Sequence, residues 1–272
     1  MTQMSIGEYL QWVKTNQGHD YESTENNNRF NTNIRTIQGT IADSAIVREI
    51  EGKLSEWAHE YEEETDSLLF MHRPVLRFET KTYQATIDKI FRVNCLWNKE
   101  FPDNPPQSGW ITPENVFSSI NDLVRTYWVC KFIDGPKFIT EKLAAYCQRK
   151  GIKHNSYSQE RDEGYYAYHF YIYFDVQVLD SGWNEVNTVS IAEIQVTTQM
   201  QEVLKELTHQ YFEVTRLEPK SSDNKWKWEV NSNRFRSAYM CHTLHLLEAI
   251  ILDLRKKALE SNRKLKGDDD ET

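Results

Sequence analysis

The middle of the chain carries long stretches of β-branched and aromatic residues, separated by amphipathic helical stretches. The two longest, residues 165–178 and 187–198, are typical of strands in a hydrophobic core. The helical stretches follow the 3.6-residue apolar period and include residues 137–151, which end at a glycine, and residues 199–213. Strands that alternate with helices in this way predict a mixed β-sheet flanked by helices, in the α/β (α+β) class.

Helices are also predicted towards both ends of the chain. A short one covers residues 5–14, and the asparagine-rich residues after it lack apolar periodicity, which predicts a loop or flexible segment. An amphipathic helix follows from Asp43, with apolar residues up to Tyr61. Near the carboxyl end, an apolar seam with heptad spacing predicts a helix that docks on the core or on a second subunit. The seam consists of Met240, Leu244, Leu247, Ile251, Leu254 and Ala258. The charged end, RKLKGDDDET, predicts a disordered tail.

Charge and composition limit the kinds of partner. The 32 Lys and Arg residues against 41 Asp and Glu residues leave a net charge of −9. This disfavours a general nucleic-acid-binding protein, because neutralising phosphates needs a local excess of cations. No run approaches the roughly 20 apolar residues of a membrane-spanning helix, and the first residues lack a secretion signal. We therefore expect a cytoplasmic protein with no membrane partner. The four cysteines fall singly, which indicates neither a zinc ribbon nor a disulfide framework.

Polar side chains recur two residues apart in the predicted strands, so they share a face of the sheet. Glu193 and Gln195 lie on one face of one strand, and Tyr165 and His169 lie on one face of another. Asp122 begins a third strand. If these strands are neighbours, Asp122 and Glu193 form the pair of carboxylates that commonly holds Mg²⁺ while leaving coordination positions open for phosphate oxygens.

Four segments of the chain resemble the motifs of the RelA/SpoT synthetase family. The resemblance covers roughly residues 77–211. The strongest match, EIQVTTQMQEVLKELTHQYFE, begins at Glu193 and is similar to the family's E-x-Q-x-x-T strand and the helix after it. GYYAYH, which begins at Gly164, is similar to the G-Y-x-S-x-H loop and strand, with Ala167 in the serine position. NDLVRTYWVCKF resembles the D-I-x-G-x-R strand, and KTYQATIDKIFR resembles the K-x-x-x-S-x-x-x-K-x-x-R segment, with Ala85 replacing the serine.

The resemblance implies a nucleotidyltransferase-like sheet and an alarmone synthetase reaction. In that reaction, pyrophosphate moves from ATP to the 3′-hydroxyl of GDP or GTP with Mg²⁺ as cofactor. Asp122 and Glu193 would be the metal ligands and, with Gln195, the catalytic residues. The cations at the family's ATP-binding positions are Lys81, Lys89 and Arg92. The acceptor-binding residues would be Tyr165, which stacks on the base, His169 and Arg161.

The chain departs from the family at the two arginines that grip adenine. Glu79 and Tyr127 occupy those positions. Arg77 and Arg125 each lie two residues earlier, on the same strand face if both segments are extended, so we expect them to substitute as ATP-binding residues. In the acceptor loop, Arg161 is the one cation where the family has P-K-x-N.

Two alternatives remain open. The first keeps the chemistry and changes the acceptor to the 3′ end of tRNA, as in toxic members of the family; the unusual acceptor loop favours it and the net charge disfavours it. A basic cluster also favours it, and comprises Arg255, Lys256, Lys257, Arg263, Lys264 and Lys266. The second is a catalytically silent nucleotide-binding module, indicated by Glu79 and Tyr127.

The resemblance also suggests a division of the chain into three parts. Residues 1–40 form a flexible segment with a short helix, residues 41–213 the synthetase domain with its leading helix, and residues 214–272 a helical extension with a disordered acidic tail. Small family members are often oligomers, and the carboxy-terminal seam is the surface through which a homo-oligomer is expected.

Overall fold

The computed structural model describes residues 4–160, 162, 164–206 and 224–269. Its sheet has five strands in the order β1-β2-β5-β4-β3, so the two long strands β5 and β4 are neighbours and β5 is central. β1 runs antiparallel to β2, with Glu79 opposite Arg125. The strands are β1 (Glu79–Thr80), β2 (Val124–Cys130), β3 (His154–Glu160), β4 (Tyr166–Leu179) and β5 (Glu185–Thr198). The five-stranded sheet, with helices before, between and after its strands in the chain, confirms the predicted α/β class.

Helices precede, interrupt and follow the strands. The bounds in chain order are α1 (Ile6–Asn16), α2 (Thr24–Ala42), α3 (Ala45–Thr65), α4 (Tyr83–Phe91), α5 (Val116–Ser119), α6 (Gly135–Lys150), α7 (residues 199–206) and α8 (Asn233–Asp269). A π-helical turn, Arg92–Leu96, continues α4. Gly151 caps the carboxyl end of α6, and its φ of 66° is the left-handed conformation that glycine adopts at low cost. Among the described helices, none is long and apolar enough to cross a membrane.

The described residues form two compact units. The first lies within residues 1–47, 77–126 and 171–193, and the second within residues 48–76, 127–170 and 194–272. The first unit packs aromatic rings around Tyr9, whose ring centroid is 5.3 Å from that of Phe91. The second unit buries Trp57 against Tyr146 and Tyr61 against Phe138. Each unit therefore has a hydrophobic core of its own.

The prediction of a flexible segment before residue 40 is wrong, because α2 occupies most of it. The hydroxyl of Ser23 accepts a hydrogen bond from the Asn26 amide N–H at 3.1 Å and caps the helix. Asn33, which looked like a loop residue, bonds both the carbonyl and the amide of Leu179 at the end of β4, at 2.9 and 2.7 Å. The buried apolar face of α2 consists of Phe30, Ile34, Ile37 and Ile41.

Three further predictions need correction. The strand predicted over residues 74–81 is two residues long, because Thr82 caps α4 directly after it. The sequence indicated no strand at β3. The predicted disordered tail is helical as far as Asp269, where α8 ends. The three-part division of the chain remains a prediction.

Candidate functional site

Three residues that the sequence assigned to the nucleotide site meet in the first unit. The Asp122 carboxylate forms ion pairs with the ammonium groups of Lys81, at 3.0 Å, and Lys89, at 2.7 Å. The Lys89 ammonium also donates to the side-chain oxygen of Asn121 at 3.0 Å. Two ammonium groups therefore hold one carboxylate, with side chains that are 14 to 20% exposed.

Local structure explains how these residues come together. Lys81 follows β1, and its amide donates to the carbonyl of Leu123 at 2.9 Å, next to Asp122. Thr82 then starts α4 by accepting a hydrogen bond from the amide of Ala85 at 3.2 Å. Lys89 lies two turns further along that helix. The strand pairing and the helix cap thus aim both lysines at Asp122.

The two lysines keep Asp122 ionised. Burial alone raises the pKa of its carboxyl group, but the charges of Lys89 and Lys81 and their hydrogen bonds outweigh that effect and lower the pKa to about 2. The pKa of Lys81 is lowered chiefly by burial, and the charge of Asp122 opposes that change. Asp122 is therefore an anion at neutral pH, and its negative charge is largely neutralised by the two lysines.

Glu193 lies on the central strand β5 and is 5% exposed. The hydroxyl of Tyr171 donates to its carboxylate at 3.1 Å. Tyr171 is on β4, six residues after Tyr165, and strand alternation would have placed it on the face of Tyr165 and His169. Tyr171 was not among the predicted site residues, although the period of two that selected Tyr165 and His169 also includes it.

Gln195 and Tyr165 meet in the second unit. The side-chain amide of Gln195 donates to the hydroxyl of Tyr165. The Tyr165 ring lies 6.5 Å from the imidazole of His169, which stacks on Tyr157 with centroids 5.4 Å apart. These contacts join one predicted catalytic residue to two predicted acceptor-binding residues. Arg161, the third of these, lies outside the described residues.

The predicted ATP-binding arginines occupy different surroundings. Arg125 is opposite Glu79 across the β1–β2 pair, so a carboxylate lies at the position where the family has its first adenine-binding arginine. Arg77 is exposed before β1. The Arg92 guanidinium lies 5.9 Å from the centre of the Trp97 ring. Tyr127, at the second adenine position, has the ammonium of Lys205 over its ring at 4.1 Å in the second unit.

A contact that was not predicted joins α8 to the end of the E-x-Q-x-x-T strand. The Thr198 hydroxyl donates to the carboxylate of Glu248, which is 5% exposed. The Gln201 amide donates to the same carboxylate at 3.1 Å. This contact joins residues 50 positions apart, so no local pattern indicated it. Within the described part of the chain, no three His, Cys, Asp or Glu side chains form a group that could hold a metal.

Comparison with known proteins yields structural likeness without a sequence match. No protein-family model and no curated protein sequence matches the chain. The chain is similar to small alarmone synthetases of known structure. Small alarmone synthetase 1 from Bacillus subtilis, solved with its product pppGpp, is 16% identical over 78% of this chain and 92% of its own, with a TM-score of 0.49.

Two other solved structures show a similar degree of likeness. A GTP pyrophosphokinase family protein from Streptococcus pneumoniae is 15% identical over 79% of this chain and 90% of its own, with a TM-score of 0.46. Small alarmone synthetase 2 from Bacillus subtilis is 16% identical over 77% of this chain and 92% of its own, with a TM-score of 0.45.

Proposed function

We propose that this protein is an Mg²⁺-dependent pyrophosphokinase that transfers pyrophosphate from ATP to the 3′-hydroxyl of GDP or GTP. The observation that carries the proposal is the pairing of Asp122 with both Lys81 and Lys89. These residues come from two of the four segments that resemble the RelA/SpoT synthetase motifs, and such a carboxylate flanked by ammonium groups suits a metal–triphosphate ligand.

The donor chemistry fits Mg²⁺. This ion binds oxygen, and in nucleotide sites it takes one or two carboxylates together with substrate phosphates. Asp122 and Glu193 would supply those carboxylates, and the Asp122 group is ionised at neutral pH because its pKa is about 2. When bound, Mg²⁺ would offset charge on the transferring phosphoryl groups. Lys81 and Lys89 would turn from Asp122 to the phosphate oxygens, which are stronger anions than a paired carboxylate.

Glu193 would also accept the proton of the attacking 3′-hydroxyl. Its carboxylate is held by Tyr171, so one oxygen has a fixed partner and the group has a defined orientation. Gln195 lies two residues further along β5, and its hydrogen bond to Tyr165 fixes the ring proposed to stack on the acceptor base. Gln195 would thereby orient the acceptor-binding tyrosine.

An assay with ATP labelled in the β and γ phosphates tests the proposal. Label that moves to GDP or GTP supports it, label that moves only to tRNA supports the toxin-type alternative, and no transfer to either supports the silent module. The basic cluster that favoured tRNA is partly engaged within the protein. Arg255 donates to the Tyr61 hydroxyl at 2.7 Å and pairs with Asp134, and Lys257 pairs with Asp253 at 2.7 Å. These contacts favour the guanosine nucleotide.

Substitution of Tyr165 should weaken acceptor binding and leave ATP binding unchanged. Stacking of a base on an aromatic ring contributes about 1–3 kcal/mol, so Tyr165→Ala should raise the KM for the guanosine nucleotide roughly tenfold or more. Tyr165→Phe keeps the ring and loses the hydrogen bond from Gln195, so its effect should be within about threefold. Steady-state kinetics with each substrate varied in turn measure both effects. An equal rise in both KM values would place Tyr165 in the core instead.

Variants of Arg125 test whether this residue binds adenine in place of the arginine that the family has at position 127. If its guanidinium stacks on adenine, Arg125→Lys should weaken ATP binding nearly as much as Arg125→Ala, by roughly tenfold, because lysine lacks the planar group. Calorimetric titration with a non-hydrolysable ATP analogue measures the dissociation constant. Glu79→Gln is the matched variant, since it removes the opposing carboxylate and should not weaken binding. Unchanged affinity for the ATP analogue in both Arg125 variants would show that Arg125 does not bind adenine.

Assembly through α8 remains a proposal. The seam is not the face that α8 buries in its own unit, because Leu247 and Leu254 are 47% and 60% exposed, and Leu246 and Ile250 beside them are also exposed. We expect a dimer by light scattering and a monomer for Leu247→Glu, because a charge would interrupt the apolar stripe. Lys256→Glu, at an exposed polar position of the same helix, should leave the dimer intact. A monomeric wild-type chain would disprove this assembly.

A further inference from the structure

Gly164, the residue before Tyr165, lies directly against α8. Its φ is 82°, a left-handed conformation that glycine adopts at low cost. A Cβ atom at Gly164 would lie 2.6 Å from the Cβ of Cys241 and 3.0 Å from the backbone nitrogen of His242. Cys241 and His242 belong to α8, so the backbone at Gly164 touches the helix with no room for a side chain. Glycine is therefore required here both for its conformation and for close packing on α8.

Further contacts with α8 lie on both sides of Tyr165. The imidazole of His242 donates to the backbone carbonyl of Asp162 at 2.8 Å. The ring centre of Tyr166 lies 5.0 Å from that of His245. The backbone is therefore held against α8 both before and after Tyr165, and all of these residues belong to the second unit.

α8 also holds the end of β5 through Glu248. The hydroxyl of Thr198 caps α7 by accepting the amide N–H of Gln201 at 3.2 Å, and it donates to the Glu248 carboxylate. In a T-x-x-Q capping box the glutamine side chain returns to the cap residue, but here Gln201 donates to Glu248 at 3.1 Å. Gln195, whose amide donates to the Tyr165 hydroxyl, precedes Thr198 on the same strand. Glu248 therefore fixes the end of the strand segment that holds this hydroxyl.

The residues of α8 that make these contacts form one stripe along the helix, because spacings of three and four residues bring side chains to the same face. The stripe consists of Ala238, Cys241, His242, His245 and Glu248. Leu247 and Leu254 of the apolar seam are exposed and lie on the other side of the helix. The contacts with the Tyr165 segment therefore do not use the face of α8 proposed for assembly.

We propose that α8 sets the position of Tyr165 in the acceptor site, with Cys241 and Glu248 as positioning residues. This inference rests on the proposed function, in which the Tyr165 ring stacks on the guanine base. Cys241 supports the backbone next to the ring through Gly164, and Glu248 supports the strand end from which Gln195 holds the hydroxyl. Stacking requires the ring and the base to overlap, so a small shift of the ring weakens acceptor binding. The lysines proposed to bind ATP lie in the first unit, so ATP binding should not respond.

Steady-state kinetics of two cysteine variants test this inference. Cys241→Val adds a branch at the Cβ atom beside Gly164 and should displace the tyrosine. It should raise the KM for the guanosine nucleotide roughly fivefold or more, as loss of stacking would, and leave the KM for ATP unchanged. Cys147→Val is the matched control, because Cys147 is fully buried in α6 of the same unit and should lose stability without a change in either KM. Equal effects of the two variants on the acceptor KM, or equal effects of Cys241→Val on the two KM values, would overturn the inference.

Variants of Glu248 test the second positioning residue and do not depend on the folding of Cys241→Val. Glu248→Ala removes the acceptor of both hydrogen bonds and should also raise the KM for the guanosine nucleotide alone. Glu248→Gln keeps an oxygen for the Thr198 hydroxyl, so its KM should return most of the way to the wild-type value. Glu260→Ala, at an exposed position of α8, should have no effect. A wild-type KM in Glu248→Ala would show that Glu248 does not position the acceptor site.

Amide hydrogen exchange measures the same contacts without any activity. In the full chain, the peptide that covers residues 164–170 should exchange faster in Cys241→Val and Glu248→Ala than in the wild type, because loss of packing opens backbone hydrogen bonds locally. Glu260→Ala should leave its exchange unchanged. A wild-type protein without transfer activity would disprove the proposed function, and faster exchange in the variants would still show that α8 holds the tyrosine segment. Unchanged exchange in both variants would contradict the inference itself.

Discussion

Replacement of Glu193 by Gln should abolish pyrophosphate transfer while the protein stays folded. The amide cannot take a proton from the acceptor hydroxyl and is a poor ligand for Mg²⁺, and each role typically contributes a factor of about 10² or more to the rate. We therefore expect a loss of at least about 10³-fold. The fold should survive, because Gln is nearly isosteric and its oxygen can still accept the hydrogen bond from Tyr171.

Two variants make this result specific. Glu185→Gln changes an exposed carboxylate at the start of the same strand and should retain full activity. Tyr171→Phe removes the hydrogen bond to Glu193 while leaving the carboxylate, so it should lower kcat modestly and shift the pH profile of kcat, which a purely structural tyrosine would not do. Transfer of labelled pyrophosphate and thermal unfolding are the measurements. Wild-type turnover in Glu193→Gln would remove Glu193 from the mechanism, whatever the acceptor.

The sequence predicted the parts of the site that depend on local patterns. Alternation on a strand placed Glu193 and Gln195 on one face, because the period of two is a property of the backbone. The family resemblance, not a period, selected Lys81 and Lys89 as ATP-binding cations. The binding of both lysines to Asp122 was not predicted. That contact depends on Lys81 pairing with Leu123 across β1 and β2, over 42 residues of chain, and no short-range period specifies such a pairing.

The incorrect prediction of a loop or flexible segment before residue 40 has a different cause. Asparagine is common in turns, so a run of asparagines predicts a loop. The apolar residues of α2, which recur at spacings of three and four residues, are less conspicuous beside it. In the structure the asparagines are used for specific bonds, such as Asn33 with the backbone of Leu179.

Replacement of Asp122 by Asn should remove activity and change how stability depends on pH. The variant loses a metal ligand, so we expect a fall in transfer of about 10²-fold or more. In the wild type, the folded pKa of about 2 lies below the ordinary value of 3.8. Asp122 therefore stabilises the fold fully above about pH 4, by about 2 kcal/mol, and this contribution is lost as the pH falls towards 2. The variant should be less stable by about that amount at pH 7 and show a smaller loss in acid.

The stability of Asp122→Asn at alkaline pH gives the sharper test of the Asp122–lysine contacts. In Asp122→Asn, Lys81 and Lys89 remain close without their shared anion, and the pKa of Lys81, already lowered chiefly by burial, should fall further. The unfolded chain then binds more protons than the folded one near pH 9, so the stability of the variant should rise with pH there. Asp88→Asn is the control, since Asp88 neighbours Lys89 and forms no ion pair with any described residue. Urea unfolding between pH 3 and 10 measures each curve, and parallel curves for the wild type and Asp122→Asn would show that the lysines do not depend on Asp122.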